Sequence, residues 1–321
     1  MKKLLYEITH TTIYDYVGDV SVSHHLVKLA PRHSGRQHCL GHKLEILPEM
    51  ATLSAHRDYF GNTTHFVGIE IAHQQLTIKS RSRVAVGLGF IPEPLETPAW
   101  EIVRARCRDD HSGHALEAHE FTYPSPLVPI GDQFLDYTKI SFTSERPVLD
   151  AVNDLTRRIH EDFTFDPAAT TVASPVSDVF NSRRGVCQDF AHFQLACLRS
   201  QGLPARYVSG YLETDPPPGK PKLRGADASH AWVSFFCPSI GWLDVDPTNN
   251  CLPSLRHVTI GWGRDYGDIS PIRGVLVGGQ NQTLRVSVDV NALGPWSNAK
   301  EDPAVAANME MMTTWAPPRP V

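Results

Sequence analysis

A thiol, an imidazole and a carboxylate occur in this chain in an order and setting that suit nucleophilic catalysis. Cys187 follows Gly185 and Val186 and opens an apolar helical pattern, His230 stands in Ser229-His230-Ala231-Trp232, and Asp246 in Asp244-Val245-Asp246-Pro247-Thr248. A cysteine attacks as its thiolate, so a free thiol pKa of about 8.5 has to fall for much of it to exist at neutral pH. The start of a helix helps, because unpaired backbone N–H groups and the helix dipole favour negative charge on sulfur. Arg183 and Arg184 add positive charge nearby, and Gly185 leaves the approach to the sulfur free of a side chain. Cys197, mid-helix amid Leu195 and Leu198, reads by contrast as core.

The elements that must position these groups follow from pattern. Val186, Phe190, Phe193 and Cys197 recur at helical spacing, and the helix ends at Gly202 with Pro204 beyond it. Cys237-Pro238-Ser239-Ile240-Gly241 is a turn signal between two apolar stretches, 230–236 and 242–246, which predicts an antiparallel hairpin. His230 and Asp246 then lie opposite or one diagonal step apart at its open end, provided that an odd-length connection or a bulge keeps them on one face. In that register the carboxylate accepts from one ring nitrogen and leaves the other facing the cysteine helix. A further strand is expected over 206–212. Upstream, Trp100, Val103 and Cys107 make one helical stripe, Val148, Val152, Leu155 and Ile159 another, and a short helix is expected over 174–181.

Residues 4–90 alternate in the strand manner with turn punctuation at Val17-Gly18-Asp19 and Phe60-Gly61-Asn62, and Pro92, Pro94 and Pro98 close this stretch. The chain is accordingly divided into a β-sandwich-like domain over 1–95, an α+β core over 96–294 with late strands at 274–277 and 283–288, and a loosely ordered tail over 295–321. The proline-rich stretch from Thr214 to Ala226 is a surface loop. Lys and Arg total 30 against 35 Asp and Glu, a net charge of −5 that argues against a nucleic-acid partner. No apolar run reaches the roughly 18 residues of a spanning helix, so no membrane partner is expected. Leu4 and Leu5 are followed by Tyr6 and Glu7, too polar for an export signal, and the expected location is cytoplasmic. The six widely spaced cysteines read as free thiols. Asp109, Asp110, His111, His114, Glu117, His119 and Glu120 form a polar cluster without a second ligand set, and are read as solvated surface. No metal or other cofactor is expected.

The string Arg183-Arg184-Gly185-Val186-Cys187-Gln188-Asp189-Phe190-Ala191, followed by the motifs around His230 and Asp246, resembles bacterial members of the transglutaminase-like superfamily. Tyr6 to Tyr16 and Asp58-Tyr59-Phe60-Gly61-Asn62 resemble the β-rich domain found before that core, and Gly263-Arg264-Asp265-Tyr266-Gly267-Asp268-Ile269-Ser270-Pro271 its usual C-terminal segment. The resemblance implies a papain-like core, with Cys187 at a helix start and His230 and Asp246 on the following antiparallel sheet. It also implies acyl transfer from a peptide or protein amide through a thioester. The expected activity is cysteine-dependent hydrolysis of a peptide or isopeptide bond; an amine-accepting acyltransferase and a non-catalytic peptide-binding module on the same fold are the alternatives. For the oxyanion, the Cys187 N–H is one expected donor, with the Gln188 side chain or Asn181 as the second. Asp265 and Tyr266 are expected to line the cleft.

Overall fold

The computed structural model describes residues 3–110, 112–215, 225 and 227–296. Five antiparallel strands open the chain: β1 (Lys3–Val27), β2 (Gln37–Leu47), β3 (Thr52–Arg57), β4 (Thr63–Ile69) and β5 (His73–Gly87), in the spatial order β2-β5-β1-β4-β3. The length of β1 lets it serve different neighbours along its course, β5 beside residues 3–15 and β4 beside residues 23–27. In strand order β2 and β4 are separated by β5 and β1, yet Ile46, Ile78, Val27 and Val67 share one buried cluster to which no helix among the described residues contributes. Only a sheet folded over on itself can bury that face, which gives the sandwich-like form.

The helices come next: α1 (Trp100–Asp109), α2 (Gly113–His119), α3 (Asp132–Thr138) and α4 (Val148–Asp162). Val148, Val152, Leu155 and Ile159 are all fully buried, so α4 lays one apolar stripe on the core. A two-residue parallel pair, β6 (Thr164–Phe165) with β7 (Arg184–Gly185), brackets α5 (Val176–Ser182) and delivers the chain to α6 (Cys187–Ser200). Helix α6 is buried on every side from Asp189 to Arg199. It packs on a four-stranded antiparallel sheet of order β10-β9-β8-β11, made of β8 (Ala205–Leu212), β9 (Ala228–Cys237), β10 (Gly241–Val245) and β11 (His257–Gly263), while α3, α4 and α5 cover its other side. Two of its polar side chains donate inside the core: Gln194 to Thr156 Oγ1 at 2.7 Å, and Arg199 to the Ala205 carbonyl at 2.8 and 3.0 Å.

After α7 (Tyr266–Ile269) the chain returns to the first sheet. Strands β12 (Ile272–Gly278) and β13 (Gln282–Pro295) pair antiparallel with the two halves of β1 and make that sheet seven-stranded. The division at residue 294 is therefore not how the chain folds: the C-terminal strands belong with residues 3–87, because β1 offers them its second edge. Pro295 ends β13 and the Trp296 N–H donates to the Lys3 carbonyl at 2.9 Å, while 297–321 of the expected tail lie outside the described residues, as do 216–224 and 226 of the proline-rich loop. Strand β11, not expected from the sequence, forms an edge of the four-stranded sheet.

Side-chain amides from the first sheet grip that edge. Gln37 donates to the Thr259 carbonyl and accepts from its N–H at 2.7 and 2.8 Å, and Asn62 does the same for Trp262 at 2.8 and 3.1 Å. Each carboxamide thus imitates one rung of a missing strand. Tyr6, Ile8, Val288 and Val290 pack against Tyr211, Val258 and Ile260 to seal the contact.

Close approach inside the four-stranded sheet depends on Gly210, where a Cβ would stand 2.2 Å from the Val258 carbonyl oxygen and 2.4 Å from the Trp232 ring. Gly210→Ala is expected to cost about 1–3 kcal/mol of stability by overpacking, read as a lowered urea midpoint at unchanged slope. An unchanged midpoint would contradict this packing.

Candidate active site

Cys187 is the first residue of α6 and is half-buried. The helix start is built by Asp189, whose Oδ2 accepts from the Val186 N–H at 2.8 Å and from Thr170 Oγ1 at 2.6 Å. That carboxylate explains Gly185, since a Cβ there would meet Asp189 Oδ2 at 2.6 Å. The glycine makes room for the cap rather than for an approach to sulfur. The neighbouring arginines are also engaged elsewhere. Arg183 stacks on Phe180 at 4.3 Å and on Phe163 at 4.8 Å, and Arg184 pairs with Asp166.

Strands β9 and β10 pair with Cys237 opposite Gly241 and Val245 opposite Val233, around a three-residue connection, 238–240. Continued by one residue, this register sets Asp246 across from Trp232 and one diagonal step from His230, on the same face. His230 Nε2 and Asp246 Oδ2 are 2.7 Å apart, and the ring also interacts with the Cys187 side chain. The structure therefore brings Cys187, His230 and Asp246 together at one end of the sheet.

Asp246 is fully buried, and every donor it needs is in place. Oδ2 also accepts from Asn249 Nδ2 at 2.7 Å and from His257 Nε2 at 3.1 Å, while Oδ1 accepts from the Thr248 and Asn249 N–H groups at 2.9 and 3.2 Å. Burial raises the carboxyl pKa, but the hydrogen bonds from His230 and His257 outweigh it and hold the group well below the usual carboxylate range. At His230 burial disfavours the charged ring, yet Asp246 and Cys187 together push the pKa up to about 10. His257 goes the other way, lowered chiefly by burial. The acid is thus ionised beside one charged and one neutral ring.

His230, Asp246 and His257 present ligand atoms within 4.8 Å of one another, a spacing that a metal ion could bridge. The tautomer of His257 argues against it. The Ser254 N–H donates to His257 Nδ1 at 3.2 Å, so a neutral ring carries its proton on Nε2 and offers no lone pair there. The trio is a carboxylate hydrogen-bonded to two imidazole rings. In the polar cluster around residue 114, Asp109 pairs with Arg108 at 2.7 Å, and His111 and the His114 side chain lie outside the described residues.

A cleft of about 310 Å³ opens over the sulfur, and its far wall belongs to the first sheet, with Thr12 and Tyr14 of β1 and Leu284 and Val286 of β13. Tyr266 lines it. Asp265 does not: it is buried, accepting from the Gly267 and Leu127 N–H groups at 2.8 and 3.0 Å as the cap of α7. Gln188 reaches the cleft, but its amide donates to the Val172 carbonyl at 3.2 Å, and Asn181 is exposed on α5, away from the cleft. The backbone N–H groups of Cys187 and Gln188 have no hydrogen-bond partner among the described residues and remain available to an oxyanion.

Three contributors are not apparent in the sequence. His257 and Asn249 complete the shell of Asp246, and Tyr207 lines the cleft beside Cys187. The Tyr207 hydroxyl has no hydrogen-bond partner among the described residues, and burial first, then the nearby Cys187, raise its pKa so that it stays a donor. Alternation of Val258, Ile260 and Trp262 could have marked β11 as a strand, but nothing in the sequence distinguishes His257 among 16 histidines.

Comparison with known proteins agrees with this architecture. The family model described as the bacterial transglutaminase-like N-terminal region matches residues 6–85, and that of the transglutaminase-like superfamily matches residues 138–247. An uncharacterized protein of Mycobacterium tuberculosis is 41% identical over 295 residues, covering 89% of this chain and 92% of its own. A protein-glutamine gamma-glutamyltransferase of Pseudomonas aeruginosa is 38% identical over 102 residues, which span 31% of this chain and 15% of its own length. Among solved structures, a Cytophaga hutchinsonii protein described as a candidate cysteine protease superposes with a TM-score of 0.71 at 19% identity, over 94% of this chain and 96% of that one, a likeness of fold.

The two pKa shifts set a stability window. With a folded pKa near 10 against an ordinary 6.5, the His230 contribution is complete below about pH 6.5 and fades as pH rises through 10. With its pKa depressed below 3.8, Asp246 contributes above that value and loses its contribution as pH falls through the folded pKa. The stability gap between the wild type and His230→Gln, measured by urea unfolding, is expected to be largest near pH 5–6 and to narrow toward pH 10. A gap constant over that range would rule out the charged pair.

Proposed function

Because this chain belongs to the transglutaminase-like superfamily, with its bacterial N-terminal region, we propose that it is a cysteine-dependent enzyme that hydrolyses a peptide or isopeptide bond through a thioester. The observation that carries the reading is the His230 ring, bonded to a buried carboxylate at 2.7 Å and interacting with the thiol at the start of α6. Sulfur attacks the amide carbonyl, and the resulting oxyanion is received by the free N–H groups of Cys187 and Gln188 and by the Tyr207 hydroxyl. Collapse breaks the C–N bond, His230 gives its proton to the departing amine, and an acyl thioester remains. Water then attacks the thioester, His230 takes up the proton, and the acid leaves with the thiol restored. Asp246 keeps the ring oriented and balances its charge throughout.

The match of 102 residues to a glutamyltransferase supports a second reading, in which an amine rather than water accepts the acyl group.

On the proposed reading, iodoacetamide alkylates Cys187 near neutral pH faster than the buried Cys197, and Cys187→Ala abolishes release of free acid from peptide and isopeptide substrates, followed by mass spectrometry. Full turnover by that variant would remove the nucleophile. Added primary amines distinguish the acceptors: free acid alone supports hydrolysis, and amide adducts support transfer. Tyr207→Phe is expected to lower kcat by roughly 10²–10³ with KM little changed, as for loss of one oxyanion donor. An unaltered kcat would take Tyr207 out of the mechanism.

A further inference from the structure

Strands β13 and β9 meet at a bridge between Val288 and Asp227 and do not pair beyond it. The cleft is the wedge between them, with Ser229, His230 and Ala231 on one side and Leu284 and Val286 on the other. At the closed end, the Val288 carbonyl accepts from the Asp227 N–H at 3.2 Å, and the Val290 N–H donates to Asp227 Oδ2 at 2.7 Å. Both groups therefore point away from β1. In an antiparallel ladder that direction recurs at every second residue, so Val286 and Leu284 also turn their N–H and C=O groups outward. The other end gives the same phase, because the Asn281 carbonyl turns inward to accept from the Val17 N–H at 3.0 Å. Leu284 and Val286 have no outward hydrogen bond among the described residues, and their side chains are 55% and 51% exposed.

An unpaired edge with two exposed aliphatic side chains, opening beside a nucleophile, is a template for an added strand. The same edge already holds one antiparallel partner at Asp227, where the wedge closes. The wall that β1 and β13 give the cleft has little charge to offer a guest. Arg285 points to the opposite face and pairs with Asp15 at 2.7 Å, and burial lowers the pKa of His10 to about 4, keeping that ring neutral. A charged substrate side chain placed there would be desolvated without a partner.

Resting on the acyl-transfer reading, we propose that the substrate is an extended polypeptide that lies in this wedge as an added strand on β13. Its main chain bonds to the outward groups of Leu284 and Val286. An aliphatic side chain next to the reacting amide packs against Tyr14, Leu284 and Val286. The first sheet is then a substrate-binding element, and selection falls on backbone extension and apolar character rather than on charge.

Peptidyl chloromethyl ketones test this on the full chain: the thiolate forms a C–S bond, the C–Cl bond breaks and chloride leaves, with alkylation of Cys187 followed by mass spectrometry. Acetyl-Val-Val-Ala chloromethyl ketone is expected to react about tenfold or more faster than its N-methylated analogue and than the Asp-Asp-Ala reagent, a difference of about 1.4 kcal/mol or more. Val286→Pro removes an N–H that faces away from β1, and is expected to lower the ratio of peptidyl to iodoacetamide rates by a similar factor. Equal rates for the three peptide reagents on the wild type overturn the proposal. Failure of iodoacetamide to react at Cys187 removes the nucleophile reading instead, and this proposal with it.

Discussion

A carboxylate with no access to water is the constraint around which this molecule is arranged. Asp246 is costly to bury and tolerable only because five donors converge on its two oxygens. Two of these are backbone N–H groups of the turn that Asp246 itself begins, an arrangement that Asp readily makes two and three residues on. The remaining three are side chains from β9, from the same turn and from β11, so the charge ties together segments that the chain order keeps apart. Its reward is an imidazole held at one angle and kept cationic by the neighbouring charge.

The second neighbour, His257, links that acid to the N-terminal sheet. It begins β11, an edge strand whose Thr259 and Trp262 are held by Gln37 and Asn62. The loop that carries Asn62 is itself tied down, since Asp58 accepts from the Asn62 N–H at 2.8 Å and pairs with Lys28 at 2.7 Å. The first sheet therefore acts on the site in two ways, by steadying the strand that carries His257 and by supplying a wall of the cleft.

Secondary structure was largely legible because periodicity reports burial. The stripe of Val148, Val152, Leu155 and Ile159 could only be one helical face, and Gly202 with Pro204 could only end α6. The hairpin register was legible too, because a turn of known length fixes which residues share a face, and that placed His230 and Asp246 side by side. The second oxyanion donor was not. Whether Gln188 points into the cleft depends on its reach to the Val172 carbonyl, and whether Asn181 does depends on which face of α5 is covered; neither is a local property.

Local sequence was enough to fix the types and order of the thiol, imidazole and carboxylate, the helix start that presents the sulfur, and the face of the hairpin on which ring and acid meet, because helix and hairpin follow from backbone periodicity within a few residues. Tertiary structure alone decided that residues 272–295 would complete a sheet begun at residue 3, that β11 would bring His257 to the acid, and that β13 would face the sulfur across a cleft. Strand pairing between distant segments is chosen by the competition of all edges and apolar faces for one another, a competition that no stretch of sequence settles alone.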